Sequence, residues 1–170
     1  LLSGEGGGDI GRCNVALDQC DNGDFIPGPM AIMTDQLIDQ MQSYAFSHIE
    51  NGLVEYVSEA FLTAGARDLK AIRKSPSLPG QKTRKETLYY RRNARVLALH
   101  AKSKEAELNG PVVAVLFRDA DGTASTVRGH WQYKWDSMLR GFNEEAFDHG
   151  VPMIPMPKSE AWLLCAVKVN

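Results

Sequence analysis

The 170-residue sequence predicts an α/β fold, a mostly parallel central sheet with helices on both faces, and three observations carry the prediction. Pro111 opens VVAVLF, a continuous apolar run of the kind covered on both faces in the middle of a parallel sheet. Short apolar stretches alternate along the chain with segments whose apolar residues recur every three or four positions, the pattern of crossover helices. An apolar fraction of 44% with 24% charged residues is that of an ordinary globular protein, and no run approaches the ~18 apolar residues of a membrane span. The whole of 1–170 is therefore expected to form one domain that does not enter a membrane.

Leu1 to Ser3 reads as the end of a buried strand, because the apolar residues stop at a glycine turn. A start without Met in mid-strand suggests that a few residues precede it, and leucines running straight into glycine and acid argue against a signal peptide. From about 11 to 29 the chain is rich in Gly, Asn, Asp and Pro, so an irregular insertion is expected, with at most a short helix near Asn14 to Gln19. Thr34 is a good N-cap for a helix carrying Leu37, Ile38, Met41, Tyr44, Ala45 and Ile49, closed by Asn51-Gly52. Leu53 to Leu62 suits a strand, although Glu55 and Glu59 keep a helix open. Ser75 to Gln81, with two prolines and a glycine, reads as a loop.

A second long helix is expected from about Lys82 to Glu107, basic residues outward, stopped by Asn109-Gly110. After VVAVLF a third helix should span about Tyr133 to His149. VPMIPMP then suits a short strand that Pro155 pushes to an edge, and Ser159 can cap a last helix, EAWLLCAVK.

Charge is unevenly spread. Between Arg67 and Lys104 stand twelve Lys or Arg and two acids, whereas the rest of the chain is acidic, for a net charge of −2. Tyr89 and Tyr90 lie inside the basic tract. Phosphate neutralisation and base stacking use these residue types together, so a nucleic-acid backbone is the expected partner, with a solvated helix face as the plain alternative. Lys82, Arg84, Lys85, Arg91, Arg92 and Arg95 are the candidate contacts. Cys13, Cys20 and Cys165 form no CxxC pair, and His48, His100, His130 and His149 lack zinc spacing, so reduced cysteines in a cytoplasmic protein are expected.

Two acidic motifs fall at the carboxyl ends of predicted strands: Glu5 after LLSG, and Asp119-x-Asp121 after VVAVLF. Residues i and i+2 at a strand end project to one side, and neighbouring carboxylates need a cation or a shared proton. An oxygen-only cluster suits Mg²⁺ or Mn²⁺, although DG is also a common turn dipeptide. Gly6-x-Gly8-x-x-Gly11 matches the spacing of a dinucleotide fingerprint, yet Gly11 leads into a Gly/Pro-rich stretch rather than a long helix, and no GK[ST] is present.

Glu5-Gly6-x-x-Asp9 after a first strand, with Asp119-x-Asp121-Gly after a later one, resembles the TOPRIM family, the metal-binding domain of primases, topoisomerases and OLD-type nucleases. The resemblance implies a Rossmann-like TOPRIM fold over nearly the whole chain and a metal-dependent endonuclease of DNA or RNA. By similarity, Glu5 is a general base or metal ligand, and Asp119 and Asp121 hold Mg²⁺ or Mn²⁺. Glu160, at a helix start, is a candidate fourth ligand, and Lys158 a candidate phosphate contact. Relatives of this kind serve in phage defence, some with an ATPase partner, and a homo-oligomer is compatible. DADGT also resembles the first motif of haloacid-dehalogenase-type phosphatases, which would make Asp119 a nucleophile and Asp121 a general acid. A third reading is a non-catalytic TOPRIM module that binds nucleic acid or a partner protein.

Overall fold

A computed structural model describes residues 1–4, 7–21, 23–42, 44–72, 85–119, 130–156 and 158–167. The strands are β1 (Leu2–Gly4), β2 (Gly11–Cys13), β3 (Gln19–Cys20), β4 (Phe25–Pro27), β5 (Tyr56–Val57), β6 (Ala114–Phe117) and β7 (Gly150–Met153). The helices are α1 (Pro29–Met41), α2 (Glu59–Ile72), α3 (Lys85–Leu108), α4 (His130–Glu144) and α5 (Ser159–Val167). Among the described residues no helix is long and apolar enough to cross a membrane.

The five-stranded sheet has the order β3-β5-β1-β6-β7. All its neighbours are parallel except β3 and β5. VVAVLF supplies β6, whose four residues are all buried because both faces are covered. Ala114 and Leu116 join a core with Leu97, Ala98, Ala101, Met138 and Phe142 of α3 and α4. Val115 and Phe117 point the other way, into a core with Ile10, Met30 and Ala31. Helices thus lie on both faces, α2, α3 and α4 on one, α1 and α5 on the other.

Several boundaries differ from the sequence expectation. The first helix starts at Pro29, so Thr34 is not its cap; the Thr34 hydroxyl donates to the Met30 carbonyl at 2.7 Å from inside the helix. It also ends early, at Met41 rather than near Asn51. Asp35 and Asp39 explain this, because their carboxylates accept hydrogen bonds from the segment that follows: Phe46 N to Asp39 at 2.7 Å, His48 N and Ser47 Oγ to Asp35 at 2.8 and 2.6 Å. The chain is folded back on the helix instead of extending it. Leu53 to Leu62 is divided between β5 and the start of α2.

Within 11–29, short strands alternate with bends, and residues 14–19 form no helix. β2 and β4 make an antiparallel ribbon, and β3 extends the main sheet. Cys13 and Cys20 are joined in a disulfide, which corrects the expectation of reduced cysteines and removes that argument for a cytoplasmic location; Cys165 is a free, exposed thiol. Asn109, at φ 50°, ends α3 as expected, with Gly110 N donating to the Glu105 carbonyl. The loop expected at Ser75 to Gln81 lies outside the described residues.

At the amino end of the sheet, Glu55 accepts hydrogen bonds from His100 at 2.7 Å and Gln19 at 3.0 Å, and pairs with Lys104 at 3.1 Å. Burial alone would push its carboxyl up, but the bonds and charges of His100 and Lys104 outweigh it and hold the group below its ordinary value of 4.5. A carboxyl depressed in the folded state stabilises above its unfolded pKa and ceases to do so as pH falls through the folded one. Glu55→Gln is therefore expected to cost about 1–2 kcal/mol at pH 7, with the difference from the native protein closing below about pH 4.5, as urea midpoints taken at pH 7 and pH 3 will show. A constant difference across that range would refute the assignment.

Candidate functional site

The strand order reverses between β1 and β6: the chain leaves β1 towards β5 on one side and passes from β6 to β7 on the other. Right-handed crossovers then put α1 and α4 on opposite faces, and the strand ends between them part into a crevice where ligands of open α/β sheets bind. Gly4 is level with Phe117, which is level with Met153, so the three parallel strands finish at one rim.

Residues 118 and 119 leave this rim in opposite directions. Arg118 is fully buried towards α2 and α3, its Nη2 3.9 Å from Glu59 and its guanidinium 5.7 Å from the ring centre of Tyr89. Tyr89 in turn donates a hydrogen bond to Glu59. Asp119 belongs to the other side, electrostatically coupled to Asp9 in the turn after β1. Its Oδ1 is buried and accepts no hydrogen bond among the described residues.

Asp9 and Glu160 add further negative charge at this rim. The Asp9 carboxyl is held above its ordinary value, first by burial and then by the negative charges of Asp119 and Glu160, against a hydrogen bond from Ser159 that pulls it down. Ser159 is buried at the start of α5, and its hydroxyl also stands 3.4 Å from Glu160 Oε2, between the two acids. Backbone bonds fix the assembly: Met30 N donates to the Asp9 carbonyl at 2.9 Å and Gly28 N to that of Ile10 at 3.1 Å. Lys158 lies just before α5, its carbonyl accepting from Ala161 N at 3.2 Å.

Negative charge from Asp119 and Glu160 adds to burial in holding the Asp9 carboxyl up, and a cation beside these groups would offset it. The buried lone pairs of Asp119 and the oxygen-only donor set fit a hard divalent ion. Among the described residues no three His, Cys, Asp or Glu side chains form a ready-made metal group. Glu5 and Asp121, the other carboxylates of the sequence reading, lie outside the described residues.

Part of the basic tract is engaged in ion pairs and hydrogen bonds at the carboxyl end of α4. Lys82 and Arg84 lie outside the described residues, and of Lys85 only the backbone that opens α3 is described. Arg91 pairs with Glu144, while Arg95 reaches Glu145 at 2.5 Å and Glu144 at 3.4 Å. Lys102 donates to the Glu145 carbonyl at 2.6 Å. α3 is packed between α2 and α4, with Ala94, Leu97, Ala98 and Ala101 fully buried, and Arg91, Arg95 and Lys102 lie along its seam with α4. Arg92 is half-buried. Only the first turns of α3 approach the rim, where Tyr89 lies near Arg118 and Tyr90 near Lys134.

Asp9, Ser159, Arg118 and Lys134 were not among the candidate residues of the sequence reading. Asp9 had a signal, its place in Glu5-Gly6-x-x-Asp9. Lys134 had none, because its relevance depends on how α4 crosses the end of β6. Comparison with family models, curated proteins and solved structures yields no match to this chain.

Proposed function

We propose that this chain is a Mg²⁺- or Mn²⁺-dependent phosphodiesterase of nucleic acid, an endonuclease in the class its acidic motifs resemble. The observation that carries the reading is the Oδ1 of Asp119 at the switch point, buried and without a hydrogen bond among the described residues, next to the negative charge of Asp9 and Glu160. Asp119 would hold the ion together with Glu5 and Asp121, and Asp9 and Glu160 would add negative charge beside it, since the described carboxylates alone do not form a metal group. The chemistry such an ion supplies is polarisation of the scissile phosphate and stabilisation of the leaving oxygen. Ser159 keeps Asp9 and Glu160 apart and oriented. The ribbon and α1 hold the Asp9 turn against the strand end. Glu5 would take the proton of the attacking water, a role that rests on the resemblance, as do the ATPase partner and the part in phage defence.

The test is cleavage of plasmid, single-stranded DNA and transfer RNA with Mg²⁺ or Mn²⁺, beside hydrolysis of a small phosphomonoester. Metal-dependent cutting with no phosphomonoesterase activity is expected. The converse pattern would replace this reading with an aspartyl-phosphate phosphatase, and neither activity, despite salt-sensitive binding, with a binding module.

A further inference from the structure

On the α3–α4 side of Asp119 the chain buries a lysine. Lys134 is 5% exposed, and among the described residues its ammonium has a single hydrogen bond, to the Asp119 carbonyl at 3.4 Å; it also lies 5.3 Å from the ring centre of Tyr90. An ammonium has three donors, and a buried charge is costly without an opposite one. No carboxylate among the described residues is within ion-pair distance of it. One turn beyond Tyr90 on the same face of α3, Asn93 is fully buried, and neither atom of its amide has a hydrogen-bond partner among the described residues. Helix packing directs Asn93 towards the same place. Lys134 lies over Tyr90, and Gly141 packs so tightly on Ala94 that a β-carbon there would stand 2.6 Å from the Ala94 one. Asn93 therefore faces the stretch of α4 between Lys134 and Gly141.

We infer that Lys134 and Asn93 form a phosphate-binding site beside the acidic rim, which takes a phosphate group of the nucleic acid next to the one cut. The site deepens the nuclease reading and rests on it for the nature of its ligand. Lysine suits the task as a point charge on a flexible stem: the ammonium exchanges its aromatic neighbour for a phosphate oxygen while staying over the strand end, and the Asn93 amide donates a second bond. Phosphate on the cationic side and metal-binding carboxylates on the other make the crevice bipolar, as a backbone that must be both held and cut requires.

The test needs no metal and no turnover. In EDTA, binding of a fluorescent single-stranded oligonucleotide is titrated across a salt series, and inorganic phosphate is assayed by thermal shift. The oligonucleotide is expected to bind in a salt-sensitive way. Lys134→Met, which keeps the buried stem, should weaken it about tenfold and reduce the salt slope by about one, whereas Lys134→Arg should stay close to native. Asn93→Asp, which places a negative charge in the site, supplies a second variant should Lys134→Met fail to fold. Phosphate that shifts the melting temperature of the native protein but not of Lys134→Met identifies the site as a general oxyanion pocket; an effect confined to the oligonucleotide ties it to a polymer backbone. Unchanged affinity in Lys134→Met and Asn93→Asp, or equal loss in Lys134→Met and Lys134→Arg, overturns the inference, as does a native protein that binds neither probe. Binding that obeys these expectations without cleavage on adding Mg²⁺ would leave the site standing and remove the nuclease reading instead.

Discussion

Asp119→Asn is expected to lower metal-dependent cleavage by about 10³-fold or more while leaving the metal-free protein at least as stable as the native one. The substitution keeps the shape of the side chain and removes the negative charge at the switch point. Asp119 contributes to holding the Asp9 carboxyl above its ordinary value of 3.8. An acid whose folded-state pKa is raised binds more protons in the folded than in the unfolded protein. Stability is therefore lost as pH rises from about the unfolded value through the folded one. Removing a charge that causes this penalty returns part of that stability at neutral pH. Melting temperatures in EDTA at pH 7, beside cleavage rates with Mn²⁺, separate the possibilities. Lost activity with an equal or higher melting temperature marks a group placed for a cation at the expense of the fold; loss of both would make Asp119 a structural residue.

Gly28→Ala is expected to destabilise the protein by about 2–4 kcal/mol and to unseat Asp9. Gly28 has an ordinary extended backbone, φ −87° and ψ 171°, so any residue would suit its dihedral angles. The constraint is space. A β-carbon at Gly28 would stand 2.7 Å from both the Asp9 carbonyl carbon and the Gly11 nitrogen, and nearer still to the Asp9 carbonyl oxygen. These neighbours are backbone, held by the bonds from Gly28 and Met30 to the Asp9 turn, and cannot yield as a flexible side chain would. Gly8 is the control, because a β-carbon there meets nothing within 4 Å among the described residues, and Gly8→Ala should fall within about 0.5 kcal/mol of native. Urea midpoints of the two variants decide the matter; equal stability would remove the crowding argument.

The glycines thus separate into two kinds that a sequence cannot distinguish. Gly8 occupies open space, whereas Gly28 and Gly11, the latter at φ 119°, exist for a crossing of two backbones distant in sequence. The same limit runs through the rest of the fold. VVAVLF was legible because a strand covered on both faces needs no partner to be recognised. The end of α1 was not legible, since Tyr44, Ala45 and Ile49 continue a helical spacing, and only the capture of the returning chain by Asp35 and Asp39 breaks it. The ion pairs of the basic tract were not legible for a related reason: periodicity gives one face of α3 to the core, but Arg91 and Arg95 meet Glu144 and Glu145 across a packing of α4 that local sequence does not encode. Of the residues at the strand ends, Asp119 and Glu160 stood among the sequence candidates and Asp9 in the motif that includes Glu5, while Lys134 and Asn93 acquire meaning only once α3 and α4 lie together.

The bond between Cys13 and Cys20 closes a small covalent ring around an exposed bend in which Val15 and Leu17 face water. A protease cut inside that bend would sever the chain without parting it. The amino-terminal piece, with β1 and the Asp9 turn, would remain fastened through β3 to the sheet it serves, and would come away only on reduction. Damage at this exposed bend is thereby made survivable, so the nicked molecule keeps its acidic rim as long as its surroundings stay oxidising.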